Sequence, residues 1–311
     1  MVLRLGWDLF DERVGVVTGA LAALYAPLVF YEGYLLSTAL EVLLAVAFAL
    51  ALTRAAGGDP PSGPPWFIAG VAGGLATAAR PNFLVTLPGT LLLLGLRRRR
   101  PARRRALGLA AAYVAGLAVI LGPITLRNVV VGGQLIPIAS SGPITFRIGN
   151  SFDSTPIGFV YPKLPPMPLT SLAFWRHQAV KFLYFWYGRE VPQNANYYFG
   201  LAFSWVLTLI PVEFWMLAPL GVVGMVVAAG EWRRGLPIHL LFWPYVLSIV
   251  AFFIVARFRL PAVALLFPFA AAALVWIWDG IKARQRRPVE VALLVLAVAL
   301  ALRPWAMRFV K

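Results

Sequence analysis

The sequence predicts an all-α, polytopic membrane protein of about 8–9 spans, with a small outer-face domain between spans. Three observations carry that reading. Of 311 residues, 60% are hydrophobic and 13% charged, and the mean hydropathy is +0.79. A water-soluble chain of this size cannot bury so much apolar surface. The apolar residues come in runs long enough to cross a bilayer as helices. The arginines gather between those runs, above all in Arg97–Arg105 (RRRRPARRR), as orientation by cytoplasmic positive charge requires.

The elements follow in chain order. Residues 1–12 predict a short interfacial helix or the cytoplasmic end of the first span. Span one is expected over Arg13–Phe30, a tight turn at Tyr31–Tyr34, and span two over Leu35–Thr53 with Glu41 inside it. Glu41 is either buried with a partner or protonated, because a lone carboxylate in lipid is costly. After the Gly/Pro-rich loop Ala55–Pro65, span three starts at Trp66, carries small residues that allow close helix approach, and stops at Arg80-Pro81-Asn82. Phe83–Leu96 predicts a tilted fourth span, the alternative being a re-entrant pair with span three. Span five covers Ala106–Leu126. Pro123 is expected to break it, with Arg127-Asn128 at the water line. Ile136–Ile148 predicts short strands or an extended loop. The aromatic stretch Phe174-Trp175 and Lys181–Tyr187 predicts an amphipathic helix on the outer surface, with sugar or polyprenyl contact as a second reading. Spans six to nine are Val212–Ala229, Ile238–Ala256, Leu260–Trp278 and Val289–Leu302. The chain thus divides into an N-terminal bundle, 1–126, an outer-face domain, 127–211, and a C-terminal bundle, 212–311.

Several function classes fall away. The net charge of +16, with a pI near 11.0, does not point to nucleic acid, because the arginines sit at span ends and no aromatic-interleaved basic patch occurs. No cysteine is present, so thiol chemistry and disulfides are excluded. No nucleotide-phosphate loop occurs, and GVAGGLA is a packing motif. The N-terminus lacks the apolar core of a signal peptide, so span one is expected to be its own insertion signal. A transporter is disfavoured by the lack of paired intramembrane charges and of an inverted repeat.

Placing Arg97–Arg105 in the cytoplasm puts Arg233-Arg234 and Lys282–Arg287 there too. Glu32, Arg80, residues 127–200 and the Arg257-Phe258-Arg259 segment then share the outer side, with the C-terminal tail. Arginine forks suit phosphate, so Arg80, Arg127, Arg257 and Arg259 are candidates for an anionic lipid headgroup, against the alternative of snorkelling to lipid. Glu190 is a candidate proton acceptor or divalent-metal ligand, and Glu32 faces the same water layer as the arginines. For Glu190 the competing reading is a pair with Arg189 or a loop hydrogen bond. Asn82, Asn128 and Asn150 complete the outer-face polar set, and His177 reads as an interfacial polar residue.

The ordered set Tyr25–Leu36 (YAPLVFYEGYLL), Gly74–Asn82 (GLATAARPN), Arg127-Asn128 with Gly132-Gly133, Ile144–Asn150 (ITFRIGN) and Arg257–Pro261 (RFRLP) resembles the integral-membrane GT-C glycosyltransferases. The type is that of family 39, the protein-mannosyltransferases and the aminoarabinose transferases, and the likeness covers about residues 13–265. It implies a GT-C-like bundle in a bacterial-type inner membrane, with an extracytoplasmic active site. There a sugar on polyprenyl phosphate would pass to a lipid, glycan or protein hydroxyl, usually with inversion, with a divalent metal as a possible cofactor. Arg80, Arg257 and Arg259 match the basic positions best, and Glu32 lies near the second acidic one. Family members begin with a further span and an outer loop bearing an acidic pair. The likeness therefore implies a shortened fragment, a lost base, or a base supplied by Glu32 or Glu190. The alternative function is a non-catalytic membrane protein that binds lipid-linked glycans or a partner enzyme.

Overall fold

A computed structural model describes residues 1–96 and 102–303, so Arg97–Pro101 of the arginine block and the tail beyond 303 lie outside the described residues. The described chain is all helix, with isolated bridges and no sheet. Four apolar stretches are long enough to cross a membrane: Thr38–Gly57, Arg103–Gly132, Phe214–Ala251 and Ala256–Lys282.

The first helices are short. α1 (Val2–Leu9) and α2 (Glu12–Ala23) meet at Asp11, whose carboxylate accepts the Val14 N–H at 2.8 Å and caps α2. The expected span one is then interrupted. Tyr25 is extended, Pro27 starts α3 (Ala26–Glu32), and the freed backbone pairs with Val212, Ala26 N donating to Val212 O at 2.9 Å. α4 (Thr38–Gly57) and α5 (Gly63–Ala79) form an antiparallel pair. A 3₁₀ turn at Pro81–Thr86 leads into α6 (Leu87–Leu96). This run follows the later helix Trp232–Ala251 along its length: Asn82 donates to Ser248 at 3.0 Å and Gly89 packs on Leu240. Leu96 and Pro61, which precedes α5, line the same recess, so the run returns to the end of the bundle from which α5 sets out.

α7 (Arg103–Gly132) continues through Pro123, so the predicted break does not occur. Proline removes one hydrogen bond, but in an apolar helix no water competes for the rest, and the helix persists. It ends at Gly133, whose φ of 64° favours glycine. α7 runs parallel to α5 at very close range. A methyl built on Gly70 would fall 2.0 Å from the Tyr113 carbonyl oxygen, and one on Gly116 would fall 2.2 Å from that of Phe67. Gly116→Val is therefore expected to lose about 2–4 kcal/mol of stability by separating the two helices, as overpacking and lost contacts combine. Thermal unfolding in detergent checks this, with Gly108→Val as the control, since nothing lies near that glycine.

Of the short strands or extended loop expected over 136–148, residues 136–141 are loop and the remainder is corrected to helix. Gly142-Pro143 opens a helix, α8 (Gly142–Asn150), because proline at the first turn needs no N–H partner. Beyond a looped segment come α9 (Leu172–Trp186), α10 (Tyr197–Phe203) and α11 (Trp205–Leu209). α9 agrees with the predicted amphipathic helix, although its Lys181 is wholly buried.

α12 (Phe214–Val227) and α13 (Trp232–Ala251) reverse direction through the turn Ala228–Glu231. Both pack on α14 (Ala256–Lys282): Gly221 and Gly224 meet Leu266 and Phe269 in parallel order, whereas Gly235 meets Phe269 and Tyr245 meets Phe258 in the opposite order. α14 is the centre, with 78% of its apolar window buried, and α15 (Arg286–Leu302) flanks it.

Charges divide between the two ends of the bundle. At one end Arg13 pairs with Asp279, Arg4 and Arg54 with Asp8, and Arg234 with Glu231. Two open recesses of about 1030 and 370 Å³ lie at this end, lined in part by Asp8, Asp11, Glu231 and Arg234. Glu41, Arg80, Glu190, Arg257 and Arg259 collect at the other end.

Candidate functional site

The site is built on the first turn of α14. Arg257 and Arg259 were expected between spans; they belong to the helix, which starts at Ala256. Cations at a helix N-terminus oppose the helix dipole, so their presence needs compensation from elsewhere. The loop 189–196 supplies part of it. Val191 O accepts the Ala256 N–H at 2.9 Å, Gln193 Oε1 accepts Arg257 Nε–H at 2.9 Å, and Glu190 Oε1 lies 2.8 Å from Arg259 Nη2.

The four predicted arginines have different fates. Arg80, 8% exposed, donates to Glu41, 5% exposed, in a short buried ion pair, and Ser37 Oγ donates to the other Glu41 oxygen at 2.7 Å. Glu41 thus has the buried partner that its position inside an apolar helix called for. Arg259, 1% exposed, has its charge met by Glu190, with further donation to the carbonyls of Phe185, Tyr187 and Arg189 at 3.1, 2.8 and 3.3 Å. Its guanidinium also stacks 3.7 Å over the Phe214 ring. Arg257 is half-buried and its only protein hydrogen bond among the described residues is through Nε. Its two terminal nitrogens are uncommitted. Arg80 and Arg257 both stack on Phe258, at 3.8 and 4.9 Å from the ring centroid, so one aromatic ring meets two cations. Arg127 stands apart near the end of α7, exposed, and touches Asn128 at 3.2 Å.

The predicted acids also separate. Glu32 ends α3, exposed and with no partner among the described residues. Glu190 is 2% exposed. Burial pushes its carboxyl up from the usual carboxylate range, while the Arg259 guanidinium pulls it back down. It pairs with Arg259, not with its neighbour Arg189. Of the amides, Asn82 ties the turn after Arg80 to α13, and Asn128 binds the Ile136 and Ile138 carbonyls at 2.9 and 3.3 Å.

Asn150 belongs to a second polar centre whose key residue, Lys181, sequence reasoning passed over as the basic end of an aromatic stretch. Lys181 Nζ donates to Gly149 O at 3.2 Å, Asn150 Oδ1 at 2.9 Å and Phe252 O at 2.9 Å. It thereby links α8, α9 and the segment leading into α14. His177 contacts the same Gly149 carbonyl at 3.1 Å. Three oxygens match the three ammonium donors, but no carboxylate answers the charge. Burial pushes the Lys181 ammonium down to about 7. The unfolded lysine titrates near ~10.4, so between these values the unfolded chain binds the extra proton and folding stability rises with pH. We expect the melting temperature to climb from pH about 7 toward about 10 relative to Lys181→Met, whose profile lacks this component. Parallel profiles for the two proteins would contradict it.

Tyr25 and Tyr31, in the YAPLVFYEGY stretch, are also wholly buried at this end, and neither was predicted as a site residue. Among the described residues no three His, Asp or Glu gather into a set that could hold a metal. Comparisons with protein-family models, with curated proteins and with solved structures find no match to this chain.

Proposed function

We propose that this protein is a membrane glycosyltransferase of the GT-C type, taking a sugar from a polyprenyl-phosphate donor at the extracytoplasmic face of a bacterial-type inner membrane. The observation that carries the proposal is Arg257: a half-buried guanidinium, oriented by Gln193 through Nε, with both terminal nitrogens uncommitted. That is the geometry for two parallel hydrogen bonds to a phosphate. Arg80, on the same Phe258 ring, adds positive potential without surrendering its bond to Glu41.

In the reaction, the bond between the anomeric carbon and the donor phosphate oxygen breaks and a bond to the acceptor oxygen forms. The acceptor proton passes to Glu190, whose affinity for a proton burial raises and Arg259 only partly offsets, and the lipid phosphate leaves as a monoester stabilised by Arg257. Glu32, exposed at the same end, is the other candidate for the proton acceptor. The acceptor is a lipid, glycan or protein hydroxyl.

A second reading, binding of lipid-linked glycans without turnover, draws support from the pairing of both Glu41 and Glu190 with arginine. The full chain in lipid nanodiscs, supplied with a panel of polyprenyl-phosphate sugars and a lipid acceptor, separates the two. Release of polyprenyl phosphate with sugar on the acceptor supports the transferase. Saturable donor binding without release supports the second reading, and neither binding nor release rejects both.

A further inference from the structure

The larger recess at the other end of the bundle, about 1030 Å³, takes no part in the site built on Arg257. Three apolar helices end around it: Gly57 closes α4, Leu96 closes α6 and Trp232 opens α13, and all three line it. α4 and α13 belong to stretches long enough to cross a membrane. The recess therefore lies where the headgroups of a bilayer meet the helix ends. One turn deeper, Leu93 and Leu236 give it an apolar wall. Trp232, 42% exposed, adds a ring of the kind that settles at the membrane interface.

The charges around this recess are unbalanced. Its lining carries three carboxylates, Asp8, Asp59 and Glu231. Asp8 meets two guanidinium groups, Arg4 at 2.8 Å and Arg54 at 2.9 Å, and Glu231 meets Arg234 at 2.8 Å. Arg233 also lines the recess and stacks on the Trp232 ring at 5.0 Å; its guanidinium makes no hydrogen bond among the described residues. Arg105 stands beside the recess, and both of its bonds go to the carbonyl of the lining Pro61, at 2.7 and 3.2 Å. Among the described residues, then, five arginines stand against three carboxylates, and neither Arg105 nor Arg233 meets an acid. The Arg234–Glu231 pair is exposed and contributes little to stability, so Arg234 can turn to another acceptor at small cost.

An excess of guanidinium groups in an open recess selects an anion, and the planar fork of arginine suits phosphate. We propose that this recess is a phosphate site, filled by the headgroup of an anionic phospholipid or by free phosphate. The apolar wall one turn below the charges fits the lipid, which carries its phosphate and its chains in that order. The site stands independently of the transferase reading and of Arg257.

Native mass spectrometry of the full chain tests it, with the protein released from detergent that holds equal amounts of dioleoyl phosphatidylglycerol and dioleoyl phosphatidylcholine. Wild type is expected to keep phosphatidylglycerol in preference. Arg233→Gln/Arg234→Gln should lower that affinity on the order of tenfold. Both arginines are exposed, so the double variant should fold, and a thermal melt checks that it does. Arg286→Gln removes an exposed charge at the start of α15, outside the recess, and should change nothing. Sodium phosphate titrated calorimetrically into the same proteins separates the two sources. Phosphate binding that the double variant loses, with no preference between the lipids, assigns the site to free phosphate. Equal retention of the two lipids with no phosphate binding overturns the proposal, and so does an equal loss in Arg286→Gln, which would mean diffuse attraction to charge.

Discussion

Arg257→Ala should lose polyprenyl-phosphate binding by roughly 30- to 150-fold, equivalent to about 2–3 kcal/mol, while the protein remains folded. The reason lies in what the side chain does not do. Its only hydrogen bond to protein among the described residues is the one to Gln193 at 2.9 Å, and its charge is met by no carboxylate there. Removing it leaves one amide oxygen without a donor and relieves repulsion with Arg80. Stability therefore changes little and ligand affinity changes much. Arg257→Lys should recover only part of the affinity, since a lysine presents a point charge without the two-pronged geometry. Titration of farnesyl phosphate into nanodisc-held protein, beside a thermal melt, gives both quantities. Unchanged affinity in Arg257→Ala would remove this arginine from the ligand site.

The Glu190–Arg259 pair should behave in the opposite way. Arg259→Met is expected to destabilise the fold by about 3–5 kcal/mol, because Glu190 is then a buried charge with no partner. The double variant Glu190→Met/Arg259→Met should regain most of that loss. Replacing a buried pair by apolar residues of similar volume costs little, although three backbone carbonyls that Arg259 serves lose their donor. Because the pair ties the 189–196 loop to the first turn of α14, both variants should also weaken phosphate binding by misplacing Gln193 and hence Arg257. Melting temperatures of the two single variants and the double variant form a cycle that isolates the coupling. Simple additivity would mean that the two residues do not stabilise one another.

Several elements were legible from the sequence. Apolar runs marked the helices around Thr38–Gly57 and Ala256–Lys282, and Arg80-Pro81-Asn82 marked the end of α5. The misreadings are equally specific. Pro123 reads as a breaker in water, but in an apolar helix the remaining backbone bonds have no competitor. The β-branched residues of 136–148 suggested strands, whereas the Gly142-Pro143 start and the burial of Ile148 to Asn150 favoured a helix. In span one the backbone leaves the helix at Tyr25 because Val212, far away in sequence, offers it a partner.

Hydropathy and charge placement are properties of neighbouring residues, so the sequence by itself determined that long apolar helices dominate this protein and that its ionised groups lie near their ends. Which arginine stays uncommitted was decided only when distant segments packed. Glu41 met Arg80, Glu190 met Arg259 and Lys181 met three carbonyl-type oxygens, leaving Arg257 with two nitrogens unspent. The physical reason is that removing a charge from water is so costly that every buried cation takes whatever acceptor the packing brings within about 3 Å, and that acceptor is chosen by tertiary contact, not by spacing along the chain.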